Sequence, residues 1–165
     1  MAFATRADLL ARSSARRLAQ LSVPTDVAVP PDAALRVAIE GGDVSGYSQA
    51  EQDALALALL AIDKCLADAD ALIVTYNIPA TVQTSLLARL ASTVALYYLQ
   101  GAERMTDDVK DAYKGVMDML KSHSRGDLSL IPADQAGGTG IDDTVQFASS
   151  TKRYQGTDDF LNPRY

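Results

Sequence analysis

His123 is the only histidine and Cys65 the only cysteine in this chain of 165 residues, so imidazole and thiol chemistry each rest on a single residue. His123 falls where a helix is expected to end, and an imidazole there satisfies the last carbonyls. No pattern of lysine and histidine marks Cys65 as an activated thiolate, and it reads as an inert helical thiol. A single cysteine leaves no intrachain disulfide and no thiolate cluster for zinc, and fits a reducing, intracellular compartment. Carboxylates pair at Asp68/Asp70, Asp107/Asp108 with Asp111, Asp142/Asp143 and Asp158/Asp159, the ligand type that magnesium and calcium take. None has EF-hand spacing. Asp107 and Asp108 suit the positive end of a helix, and the other pairs read as solvated. Tyr97-Tyr98 has the chemistry to stack on bases, yet Tyr97 lies on an apolar stripe and no basic groove is evident around the pair. The expectation is no catalytic, cofactor-binding or metal-ligating residue, no cofactor, and no enzymatic activity.

Contact chemistry is richer. The net charge is −6, but Arg6, Arg12, Arg16 and Arg17 against Asp8 give residues 1–21 a local +3, leaving −9 for the rest. An acidic body does not wrap nucleic acid, because duplex affinity comes from Lys and Arg on phosphates. The four arginines are either a solvated face or contacts to a neighbouring subunit or acidic partner. At the other end, Phe147, Tyr154, Phe160 and Tyr165 are four of the ten aromatics, set in Gly, Ser, Thr, Asp and Asn. Lys152, Arg153, Leu161 and Arg164 flank them, a combination typical of interface anchors. Ordering residues 145–165 costs roughly 20–40 kcal/mol at about 1–2 kcal/mol per residue. Repaying that at about 25 cal/mol per Å² takes about 1,000 Å² or more of apolar burial, so the tail needs a substantial partner surface.

The elements that position these residues are helices. Thr5 is an N-cap for a first helix to about Leu21, with Asp8 near its positive end and Leu9, Leu10, Leu18 and Leu21 on one face. It reads as an ordinary helix and not as a targeting peptide. Pro24, Pro30 and Pro31 break the chain; Asp32 caps a short helix to Glu40, and Gly41-Gly42 ends it. Residues 22–47 are expected to form a surface excursion. Ser48 to Glu51 is a capping box opening a long helix. Leu55, Leu59, Ile62, Leu66, Ala69, Ile73 and Tyr76 then recur every three or four residues as one stripe, which Pro79 stops. A second helix, about Thr81 to Ala102, carries Leu87, Leu90, Val94, Tyr97 and Gly101, and the short link makes the two an antiparallel hairpin. Thr106 caps a third, Asp107 to about His123, with Val109, Ala112, Tyr113, Val116, Met119 and Leu120 on its face. Gly126 ends it, and Leu128–Ile131 has the character of a short strand. No apolar run is long enough to span a bilayer, so a soluble protein is expected.

The fold class is therefore mainly α: a small antiparallel helical bundle, residues 1–131 with the 22–47 excursion, carrying a long extended C-terminal arm. Residues 132–165 comprise a flexible joint at Gly137-Gly138-Thr139-Gly140 and the arm itself.

The body resembles the small neck proteins of Mu-like phages and prophages, related in fold to head–tail connector or adaptor proteins of tailed phages. The likeness rests on Ala4-Thr5-Arg6-Ala7-Asp8-Leu9, on Ala67-Asp68-Ala69-Asp70 running to Tyr76, and on Leu87-Ala88-Arg89-Leu90-Ala91 with Tyr97 and Gly101. It ends with Thr106-Asp107-Asp108-Val109 and Gly126-Asp127-Leu128-Ser129-Leu130. Tyr76-Asn77-Ile78-Pro79 is more abrupt than the family's longer tyrosine-rich segment, and residues 23–47 are expanded. The resemblance implies a homo-oligomeric ring, twelvefold in the family, beneath the portal protein at the virion neck, assembled in the host bacterial cytoplasm. It further implies an arm reaching the portal, a neck or tail-completion protein as the next partner, DNA only as cargo in the channel, and no membrane. The rival reading is a small scaffolding or regulatory module whose tail is a peptide ligand for one protein; it predicts a one-to-one complex in place of a ring.

Overall fold

Two capping boxes frame the molecule. The Thr5 hydroxyl accepts the Asp8 N–H while the Asp8 carboxylate accepts the Thr5 N–H, and Ser48 and Glu51 repeat the exchange. Each box satisfies two of the donors orphaned at a helix start. The computed structural model describes residues 2–101 and 104–132. Among them are six helices and no strand: α1 Arg6–Arg12, α2 Ala15–Ser22, α3 Asp32–Ile39, α4 Gln49–Val74, α5 Ser85–Gln100 and α6 Asp107–Ser124.

The 26-residue α4 is the axis of the bundle, about 39 Å long at 1.5 Å per residue. It buries Ala54, Leu55, Ala58, Ile62, Leu66, Ala69 and Ile73, and its main partner is α5, which buries Leu87, Leu90, Ala91, Val94 and Ala95. The expected stripe is thus the core seam, with Leu59 and Tyr76 half-buried at its margin. Between the two helices Asn77 takes a left-handed φ of 64°, a conformation asparagine tolerates better than most residues. Ile78 and Val82 are buried beneath the turn. This anchoring delays α5 beyond the expected Thr81: its cap is Thr84, whose hydroxyl accepts the Leu87 N–H at 3.1 Å.

The first helix is two helices. Ser13 and Ser14 are both extended, and the Ser14 hydroxyl accepts the Arg17 N–H, so the chain restarts as α2. Adjacent serines supply the cap that a continuous helix would forgo. The break lets Leu9 and Leu18 both reach the core. Residues 22–47 are likewise not a surface excursion: Ala34 and Leu35 of α3 are fully buried, Val23 and Pro30 are buried, and α3 packs on α2, α4 and α1. The prolines that break helix around Val27 also deliver a short amphipathic helix to the core. α3 opens at Asp32 as expected, but Pro31 occupies the cap position without a side-chain bond.

On α6 only Val116 and Leu120 are fully buried, Val109 and Tyr113 are half-buried, and Ala112 and Met119 are exposed. α5 is its principal neighbour, so its core stripe is narrow. Leu128–Ile131 forms no strand. Among the described residues no extended neighbour pairs with it. Instead Leu130 is buried and its N–H approaches His123 Nδ1 at 3.3 Å. At the opposite end Phe3 and Ala4 are buried, and the Phe3 N–H donates to Asp70 Oδ1 at 3.0 Å.

Candidate functional site

The four arginines of residues 1–21 separate into two kinds. Arg6 is held within the chain: its Nε and Nη2 donate to the two oxygens of Asp63 on α4 at 2.6 and 2.5 Å. This bidentate pair fixes α1 against α4 and raises the Arg6 pKa through the Asp63 hydrogen bonds. Arg12, Arg16 and Arg17 are exposed and make no salt bridge among the described residues.

Arg16 and Arg17 open onto a groove of about 690 Å³ between α2, residues 23–29 and the end of α5. Val23, Val27 and Val29 give it an apolar wall, and Arg104 adds a third guanidinium, which donates to the Gln20 carbonyl. No carboxylate lines it among the described residues. Gln100 is 5% exposed and also lines the groove, and its Oε1 has no hydrogen-bond partner among the described residues. Burying a polar atom unpaired costs about 1–3 kcal/mol. The sequence hid this groove, because Arg104 and Gln100 are more than eighty positions from Arg16.

A second surface runs along α4 opposite its core seam. Leu57, Leu60, Lys64, Ala67, Ala71 and Val74 recur at the same three–four spacing on the outer face, and all are exposed. Leu57 is 42%, Leu60 66% and Val74 47% exposed. Single exposed leucines are ordinary; a row at coiled-coil spacing on a long helix is a template for another helix. The signal was present in the run Ala54–Ile62, which is too uniformly apolar for a helix with only one buried face.

The remaining chemical candidates make contacts within the bundle. Tyr97 stacks on Tyr113 with ring centroids 3.9 Å apart, and Tyr98 meets both, tying α5 to α6. Burial first, then the Tyr113 phenol, pushes the Tyr98 pKa up to about 12. Cys65 is half-buried, and burial, with Asp68 adding to it, raises its thiol above the ordinary 9.0. A raised pKa leaves less thiolate, the opposite of activation. His123 does not satisfy the last carbonyls of its own helix: its Nδ1 lies 3.1 Å from the Leu128 carbonyl and accepts from Leu130 in the other tautomer. Asp70 is not simply solvated, since it accepts the Phe3 N–H and burial raises its pKa. No three His, Cys, Asp or Glu among the described residues group closely enough to hold a metal ion, and no described helix is long and apolar enough to cross a membrane. The arm residues Phe147, Lys152, Arg153, Tyr154, Phe160, Leu161, Arg164 and Tyr165 lie outside the described residues, as do Asp142/Asp143 and Asp158/Asp159.

An α-helical bundle that turns one apolar helix face and one arginine-lined groove outward defines the class: a helical protein with surfaces for contact. The chain belongs to the bacteriophage Mu Gp36 family, whose model matches residues 3–149, and so is a Mu-like phage protein of the structural or morphogenesis kind. No curated protein matches it.

Proposed function

We propose that the protein is a non-enzymatic head–tail connector that forms a ring beneath the portal of a tailed phage and docks its C-terminal arm on the portal. The outer face of α4 carries this reading. A phage protein with a second apolar stripe, uncovered among the described residues, presents a surface suited to a neighbouring copy. Arg12 is a further exposed contact at the end of α1, available to a neighbour or to the portal. The net charge of −6 suits a channel wall along which DNA slides without adhering. In this reading the arm residues from Phe147 to Tyr165 anchor on the portal, the next neck or tail-completion protein binds below, and DNA is cargo.

The test is co-sedimentation of the full-length protein with DNA-filled, tailless heads of a matching phage that lacks it. The expected result is saturable binding of several copies per portal vertex. Absence of binding by a folded, helical protein removes the connector reading, and a one-to-one complex with a single soluble protein establishes the scaffolding or regulatory alternative.

A further inference from the structure

We infer that the groove bounded by Arg16, Arg17 and Arg104 receives the chain's own acidic segment Ile141–Val145. Three guanidiniums converge on an apolar wall, and no described carboxylate neutralises them there. Residues 141–145 read Ile-Asp-Asp-Thr-Val: two adjacent carboxylates to meet the arginines, with an aliphatic residue on either side to cover Val27 and Val29. Planar guanidinium forks match carboxylates bidentately, and such charge-assisted bonds are the strong ones.

Reach permits the contact. The link from α5 to α6 is short and Tyr97 stacks on Tyr113, so α6 runs back along α5 and the chain reaches Pro132 near the opposite end from Gln100. That separation is about the 16-residue length of α5, roughly 24 Å. Ten further residues to Asp142 span up to about 33 Å. A tether of this length holds the segment at a local concentration in the millimolar range, which favours it over a free competitor. The family match also ends at residue 149, taking in this segment and leaving out the last sixteen residues. Nucleic acid suits the groove less well: one wall is aliphatic, and the acidic body repels a polyanion. The inference is independent of the portal reading, since Ile141–Val145 lies ahead of the arm's aromatic anchors.

Photo-cross-linking in the full-length protein tests it. Benzoylphenylalanine replaces the exposed Val29, and the protein is mixed with an isotopically heavy copy before irradiation and peptide mass spectrometry. The expected product joins position 29 to residues 141–145 within one chain. Asp142→Lys with Asp143→Lys should lower its yield at least tenfold, and adding Arg16→Glu with Arg17→Glu should restore it. Absence of the cross-link, or a yield indifferent to the charge reversals, overturns the proposal. A product joining light to heavy chains overturns it in favour of a second copy, and capture of an added DNA duplex at position 29 in place of the tail overturns it in favour of nucleic acid.

Discussion

On the subunit contact proposed for the outer face of α4, replacing Leu57 and Leu60 together by glutamine should weaken assembly while leaving the subunit folded. Glutamine matches leucine in helix propensity, so α4 itself is little affected, and substitutions at exposed sites ordinarily change stability by less than about 0.5 kcal/mol each. Fully burying a leucine is worth about 1.5–3 kcal/mol. Leu60 is 66% and Leu57 42% exposed in the isolated chain, so covering them with a neighbour gains roughly 1.6–3.2 kcal/mol per interface. At 1.4 kcal/mol per tenfold, the double variant should associate roughly 15- to 200-fold more weakly at each interface. Sedimentation velocity over a concentration series reads the association, and circular dichroism with thermal melting reads the fold. Unchanged association would refute the assignment of this face to a subunit contact. A large drop in melting temperature would show that the two leucines support the core, contrary to their exposure.

Other consequences are equally direct. Leu35→Ala should cost about 2–5 kcal/mol in a urea titration, because the side chain is fully buried where α3 meets its neighbours; a loss below about 1 kcal/mol would return residues 22–47 to the surface. In a double-mutant cycle Arg6→Ala and Asp63→Ala should show a coupling of about 1 kcal/mol or less, since the two side chains remain 35% and 45% exposed and water screens the pair. Glu51 has its pKa lowered below the ordinary 4.5 by its bonds to Ser48. Its stabilisation is therefore present above 4.5 and lost as pH falls through the lower folded value. The melting temperature of Glu51→Gln should lie below that of the parent at pH 6, with the gap closing under strong acid; a gap that persists there contradicts the capping role. Cys65 should react with iodoacetamide at pH 8 more slowly in the folded protein than in urea, given its burial-raised pKa, and equal rates would remove that account.

Local signals were legible and distant ones were not. The Thr5 cap, the Ser48–Glu51 capping box, the α4 seam and the short link to α5 could be read from spacing, because caps and periodicity act within about one turn of the residues that encode them. The Ser13-Ser14 break was written in the sequence too, but one apolar face running through it concealed that two helices share that face. α3 was placed correctly and its burial missed: Pro24, Pro30 and Pro31 announce irregular backbone, while nothing local says that Leu35 fills a gap beside α4. The Arg6–Asp63 pair spans 57 positions and the groove joins α2 to the end of α5, and only tertiary packing brings such groups together. The outer leucines of α4 were visible as composition; their exposure depended on which side α5 chose.

Leu130 gives the tail a fixed mooring. With its side chain buried and its N–H on His123, the chain is fixed to the body at one defined point just ahead of Pro132. Identical copies arranged around an axis would release their tails from equivalent points on a circle. Inserting or removing residues between Pro132 and Ile141 would then change how far the segment that follows can reach, without moving the place from which it starts.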